Sequence, residues 1–129
     1  MKTFFTVLLI VPAISISSFA QKSNIDGVID ALRSGSAAEL ANYLDDNIEL
    51  TLPDQSDNYS KAQAVLILKD FFNNNGVKNF DVKHKGDKSG GQFCIGTLQT
   101  KSGNFRTTVF MKIKNNKEVV KEIRFQSIE

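Results

Sequence analysis

The side chains of this 129-residue chain that could do chemistry are few: one histidine, His84; one cysteine, Cys94; two tyrosines, Tyr43 and Tyr59; and scattered carboxylates, of which Asp54 and Asp57 share one polar stretch. Histidine titrates near neutrality and suits proton transfer. A carboxylate in an apolar pocket can abstract a proton while a tyrosine hydroxyl donates a hydrogen bond. His84 is in phase with Phe80 and Val82, so strand alternation turns its ring inward. A lone inward histidine is more often a core or pocket-rim residue than a base. No second histidine and no cysteine at ligand spacing accompanies it, so no metal is expected. Asp54 and Asp57 also read as turn aspartates bonding local backbone. Tyr59 precedes a helix cap, where its ring can pack on the first turn or carry its hydroxyl over a pocket, and Tyr43 flanks Leu44 at another helix end. Tyr59, His84, Asp54 and Tyr43 are the candidate pocket residues.

Cys94 lies between Phe93 and Ile95 without a Cys-x-x-Cys partner or an adjacent cation, which makes it a packing residue. No Gly-x-Ser-x-Gly elbow and no phosphate-cradling glycine loop occurs, and no cofactor is expected. Arg106 alternates with Thr108, Phe110 and Lys112, and Arg124 with Val120, Glu122 and Gln126, which places both arginines opposite the apolar rows, on the outer face of a sheet. Cross-strand pairing, for example with Glu122, accounts for arginines at a solvated surface. Phe110 and Val120 beside them make that face a candidate dimer or partner surface, because arginine and aromatic residues are enriched in interface cores. Arg106, Phe110, Val120 and Arg124 are the candidate interface residues.

The elements that must position these groups begin after a leader. Lys2 is followed by an uncharged run from Phe4 to Ile14 and then Ser18-Phe19-Ala20, the pattern of a signal peptide cut after Ala20. The run is too short for a spanning helix, which needs roughly 20 apolar residues. Gln21, not a cysteine, follows the cut, so a lipoprotein anchor is not expected, and a single cysteine allows no internal disulfide. The expected mature chain, residues 21–129, is one domain that is periplasmic or secreted, with no span left after the leader is removed. The net charge of +2 falls by one with Lys2 and implies neither a nucleic acid nor an anionic membrane as partner.

Ser23 and Asn24 can cap a helix with Ile25, Val28, Ile29 and Leu32 on one face, ended by Gly35. Ser36 with Glu39 starts a second, with Ala37, Leu40, Ala41 and Leu44 apolar, until Asp45-Asp46-Asn47 breaks it. Ile48, Leu50 and Leu52 alternate as a strand closed by Pro53-Asp54, and residues 54–59 read as a loop. Ser60 with Gln63 caps the longest helix. Its apolar residues, Ala62, Ala64, Val65, Leu66, Ile67, Leu68, Phe71 and Phe72, cover most of the circumference, so a sheet is expected to wrap it. Four strands follow, with Phe80, Val82 and His84; Phe93 and Ile95; Phe105, Val109, Met111 and Ile113; and Ile123 and Phe125 as their apolar rows. Glycine and asparagine turns join them into an antiparallel meander. The order helix, helix, strand, helix, four strands is an α+β arrangement.

The segments Tyr-Ser-Lys-Ala-Gln-Ala at 59–64, Leu-Lys-Asp-Phe-Phe at 68–72 and Phe-Asp-Val-Lys-His-Lys-Gly at 80–86 resemble an uncharacterised family of exported proteins of Bacteroidetes-type bacteria. Ile-Gly-Thr-Leu at 95–98, Gly-Asn-Phe-Arg at 103–106 and Ile-Arg-Phe at 123–125 fit the same pattern, so the likeness covers essentially the whole mature chain. The element order is similar to the nuclear-transport-factor-two-like superfamily, which includes ketosteroid isomerase and scytalone dehydratase relatives and many binding modules. The resemblance implies a cone in which a curved sheet wraps a long helix, often with a pocket at the open end and a homodimer through the outer sheet face. It assigns no chemistry. An exported binding or interaction module is expected, taking a small apolar ligand or an envelope protein. The alternative is a cofactor-free isomerase, dehydratase or hydrolase working in that pocket.

Overall fold

Local capping chemistry sets the helices. The structure, a computed structural model, describes residues 23–88 and 90–128; the leader expected to end at Ala20 lies outside them. Helix α1 (Asn24–Ser34) ends where Gly35 adopts φ 65°, letting the N–H groups of Gly35 and Ser36 return to the carbonyls of Leu32 and Ala31. Ser36 Oγ accepts the Glu39 N–H at 3.0 Å to open α2 (Ala37–Ala41), and Ser60 Oγ accepts the Gln63 N–H at 3.3 Å to open α3 (Lys61–Asn75). Both are caps expected from the sequence, whereas Ser23, expected to cap α1, directs its hydroxyl to the Asp26 carboxylate at 2.9 Å and not to a helix N–H.

Six strands form one curved, unclosed sheet: β1 (Leu44–Leu52), β2 (Gln55–Ser60), β3 (Val77–Lys88), β4 (Gly91–Thr100), β5 (Gly103–Lys114) and β6 (Lys117–Ile128), in the order β2-β1-β6-β5-β4-β3. The last four are the expected meander, and β1 joins it in parallel alongside β6. Asn115 and Asn116, both at positive φ, turn β5 into β6.

Two boundaries differ from expectation. Leu44 opens β1 instead of closing α2, and residues 45–47 lie within that strand, where its register on β6 slips between Leu44 and Glu49. The expected loop at residues 54–59 is largely β2, paired antiparallel to β1 with Tyr59 opposite Ile48. An edge strand needs only backbone pairing on one side. All its side chains except Tyr59 are exposed, so it carries no hydrophobic period.

The core lies between the helices and one face of the sheet. Phe71 of α3 stands 5.1 Å from Phe105 and 4.8 Å from Phe125, and Phe72 is edge-on to Phe125 at 6.1 Å. These rings fill the space under the long helix. Ala64, Leu68, Phe71 and Phe72 make its buried stripe, while Leu66 is 63% exposed, so burial is one-sided instead of encircling.

Strand phase departs from expectation at three places. In β4 the residues facing the helices are Cys94, Gly96 and Leu98, whereas Phe93 and Ile95 are half-exposed on the outer face. Gly96 is there because the Phe80 ring covers it: a Cβ would stand 2.7 Å from that ring. In β3 the register slips between Val82 and His84, which leaves Lys83 as the extra residue and turns His84 away from the helices. In β6 the slip falls opposite Phe110 and Met111, with Lys121 extra. Val120, expected on the outer face, is therefore opposite Met111 in the core at 0% exposure.

Candidate functional site

The four candidate pocket residues do not come together. Tyr43 follows α2 and presses its ring and hydroxyl on Gly27, leaving no room there for a Cβ. Asp54 sits exposed in the β1–β2 turn, beside Ile67 and Phe71 of α3. Tyr59 is half-buried on β2. His84 is exposed on β3, across from Ile95, with its ring 5.6 Å from Phe93. Since β2 and β3 are opposite edges of the sheet, four strands separate Tyr59 from His84.

The outer sheet face brings other residues together. The pairing of β4, β5 and β6 sets Phe93 opposite Phe110 and Phe110 opposite Glu122, and in the next row Ile95 opposite Thr108 and Thr108 opposite Arg124. Arg106 lies one row further, opposite Gln126, and is exposed. Of the four interface candidates, Arg106, Phe110 and Arg124 share this face and Val120 does not.

At one end of the face the residues line an open cleft of about 370 Å³, walled by Lys88, Phe93, Phe110, Lys121, Glu122 and Arg124. The rings of Phe93 and Phe110 stand 6.4 Å apart and are half-buried. Cations border both rings, in the geometry that attracts a positive charge to an aromatic face. The Lys88 ammonium lies 5.8 Å from the Phe110 centroid and 6.0 Å from that of Phe93, and the Arg124 guanidinium lies 5.7 Å from Phe110. Glu122 is 8% exposed and accepts a hydrogen bond from Arg124 Nε at 2.5 Å. Charge on both partners strengthens that bond. Charged heads thus stand over an aromatic floor. The inward row expected in β4, Phe93 with Ile95, put Phe93 on the other face, and Lys88 was not among the candidates. The available signal was Gly86, opposite Phe93: the ring lies over that glycine, where a Cβ would meet it at 3.1 Å.

The groups whose titration is shifted lie outside the cleft. Leu44 is in the core, and Asp45, the next residue, turns to the other side, where Lys112 and Lys114 each reach it at 2.8 Å. Burial alone would raise the Asp45 carboxyl. Hydrogen bonds from the two lysines and from the Asp46 N–H outweigh burial and hold the carboxyl well below the usual carboxylate range. The same contacts, Asp45 first and Asp46 second, raise Lys114. These groups clamp the start of β1 to the end of β5. Burial pushes the Cys94 thiol up to about 12, partly offset by Lys85, so the thiol is protonated and unreactive at neutral pH. Among the described residues no three His, Cys, Asp or Glu side chains are grouped to hold a metal ion, and no helix is long and apolar enough to cross a membrane.

A family profile described as a domain of unknown function, DUF4783, matches residues 25–126. The chain is similar to a DUF4783 family protein of Bacteroides uniformis, with 36% identity over 81% of this chain and 96% of that one and a TM-score of 0.78. A second, from Bacteroides ovatus, is 38% identical over 80% of this chain and 94% of that one, with a TM-score of 0.77. An NTF2-like protein of unknown function from Cytophaga hutchinsonii superposes with a TM-score of 0.60 over 84% of this chain and 93% of that one; at 10% identity the likeness is one of fold alone. Comparison with curated proteins finds no match. Both levels of the resemblance seen in the sequence, the family and the wider fold, are met.

Proposed function

The chain belongs to the DUF4783 family, and from that premise we propose that it is an exported, non-enzymatic binding module whose working surface is the outer face of its sheet. The observation that carries this reading is the cleft, where two half-buried rings are bordered by lysine and arginine instead of being covered by the chain's own helices. Its volume is about 370 Å³. That falls in the range of roughly 300–1,000 Å³ common to small-ligand sites. The occupant is a small ligand with an apolar body or a side chain of an envelope protein. Catalysis by the alternative route needs a base and a donor within hydrogen-bond reach of one substrate. Tyr59 and His84 on opposite sheet edges favour binding over turnover. The remainder of the same face, with Ile95, Arg106 and the 46%-exposed Ile128, supports a second reading in which two copies pair through it.

Native mass spectrometry of the mature protein purified from its own host tests both readings. A retained small molecule or a dimer is expected, and a Phe110→Asp variant loses it. A wild-type protein that emerges as a bare monomer, or a Phe110→Asp variant that keeps its occupant, overturns the proposal. The same spectrum reads the mature N-terminus, expected at Gln21.

A further inference from the structure

Resting on the outer-face reading, we infer that the cleft selects a small organic anion: a flat apolar body carrying one carboxylate. The inference comes from the balance of charge around an aromatic floor. Lys88, Lys121 and Arg124 line the cleft, and Glu122 is the single acid among the lining residues. Its carboxylate is already engaged by Arg124 Nε at 2.5 Å. Glu49, beside Glu122 on β1, lies outside the lining. Two lysine charges are thus left over in a half-enclosed site, where an incoming anion is favoured and an incoming cation meets like charge.

The floor decides the rest of the ligand. The Lys88 ammonium rests over the faces of both Phe93 and Phe110, at 6.0 and 5.8 Å. A cation over a ring at an exposed position is held weakly, and the lysine stem is flexible. A flat apolar body can take the ring faces while the displaced ammonium swings onto the acid group, so one residue responds to both halves of the ligand. Inorganic phosphate engages the charges but leaves the rings uncovered. A neutral apolar molecule covers the rings but leaves the lysines unmatched.

A matched series tests this directly: 2-naphthoate, 2-naphthylmethanol and 2-naphthylmethylammonium, with inorganic phosphate as the ring-less control. Each is titrated into the 15N-labelled mature protein at about 0.1 M salt, where long-range attraction between exposed charges is largely screened. Naphthoate is expected to shift the amides of Phe93, Phe110 and Lys121 to Arg124 saturably. The alcohol should bind roughly tenfold more weakly, the order expected for one charge-assisted contact in a half-exposed site, and the ammonium and phosphate more weakly still. A Lys88→Gln/Lys121→Gln double variant, altered only at exposed positions, should lose the preference for the anion while keeping its affinity for the alcohol. Equal or tighter binding of the alcohol or the ammonium overturns the inference. Shifts centred elsewhere, or no saturable shift with naphthoate at millimolar concentration, overturn it as well. If naphthoate fails while Phe110→Asp still abolishes the native dimer or retained mass, the ligand class alone is wrong; if Phe110→Asp changes nothing, the outer-face reading falls with it.

Discussion

The two faces of the sheet use alternate residues of the same strands, and each gathers phenylalanines, yet among the described residues only one face is covered by helices. On the helix side, Phe105 and Phe125 meet Phe71 and Phe72 of α3 with centroids 4.8 to 6.1 Å apart, and Phe125 is fully buried. On the outer side, Phe93 and Phe110 are 6.4 Å apart and half-buried, with Lys88 and Arg124 above them where a helix could have been. Ring burial follows from what lies opposite the ring, not from the ring. The helix side holds the fold together, and the outer side leaves apolar area open to another molecule.

The widest separation between the faces should appear on deleting a ring from each. Phe125→Ala is expected to cost about 3–5 kcal/mol in urea denaturation, and Phe110→Ala about 1 kcal/mol or less. Similar losses would break the distinction. A subtler comparison adds one methyl group under a ring on each face. At Gly96 a Cβ meets the Asp81 carbonyl oxygen at 2.5 Å and the Phe80 ring at 2.7 Å, with the helix-side core holding the ring in place. Gly96→Ala should therefore cost about 2–3 kcal/mol, the upper part of the range for overpacking. At Gly86 the contact is with Phe93 at 3.1 Å on the open side, where the ring can yield. Gly86→Ala should cost under about 1 kcal/mol while shifting the Phe93 resonances.

Charge sharpens the comparison at the smallest scale, because the helix-facing core excludes it and the other side does not. Asp45→Asn removes the anion between Lys112 and Lys114, whose side chains are 42% and 41% exposed. Solvent screening at such lysines discounts the expected loss to about 1–2 kcal/mol. The folded Asp45 carboxyl titrates below its unfolded value of about 3.9, so the folded state binds fewer protons in between and stability rises with pH there. The contribution is complete above about pH 5 and drains away as pH falls below it. Wild-type stability should thus fall more steeply than that of Asp45→Asn between about pH 5 and 3; parallel acid profiles would show that the cluster contributes nothing.

Much of the frame was legible in the sequence. The serines at 36 and 60 with their partners three residues on, Gly35 as a left-handed stop, and the Asn115-Asn116 turn each act within a few residues, and each is found where expected. Strand β2 was not legible, since a polar edge strand has no period to read. Half of the outer cleft was: Phe110, Glu122 and Arg124 are in phase on the outer face in the sequence, while Phe93 reads with Ile95 as an inward apolar row and stands on the opposite side.

The sequence by itself determined every described element except β2, and with them the α+β class, because caps, turns and hydrophobic period are short-range properties that a segment carries with it. Which way His84, Phe93 and Val120 point was decided only in the tertiary structure. A bulge is a disagreement in length between two strands, visible only once Val82 and His84 are laid against β4 and Lys121 against β5. One extra residue exchanges the two faces for everything beyond it. That exchange carried His84 out of the core, brought Val120 into it, and left Glu122 and Arg124 beside Phe110 on the open side.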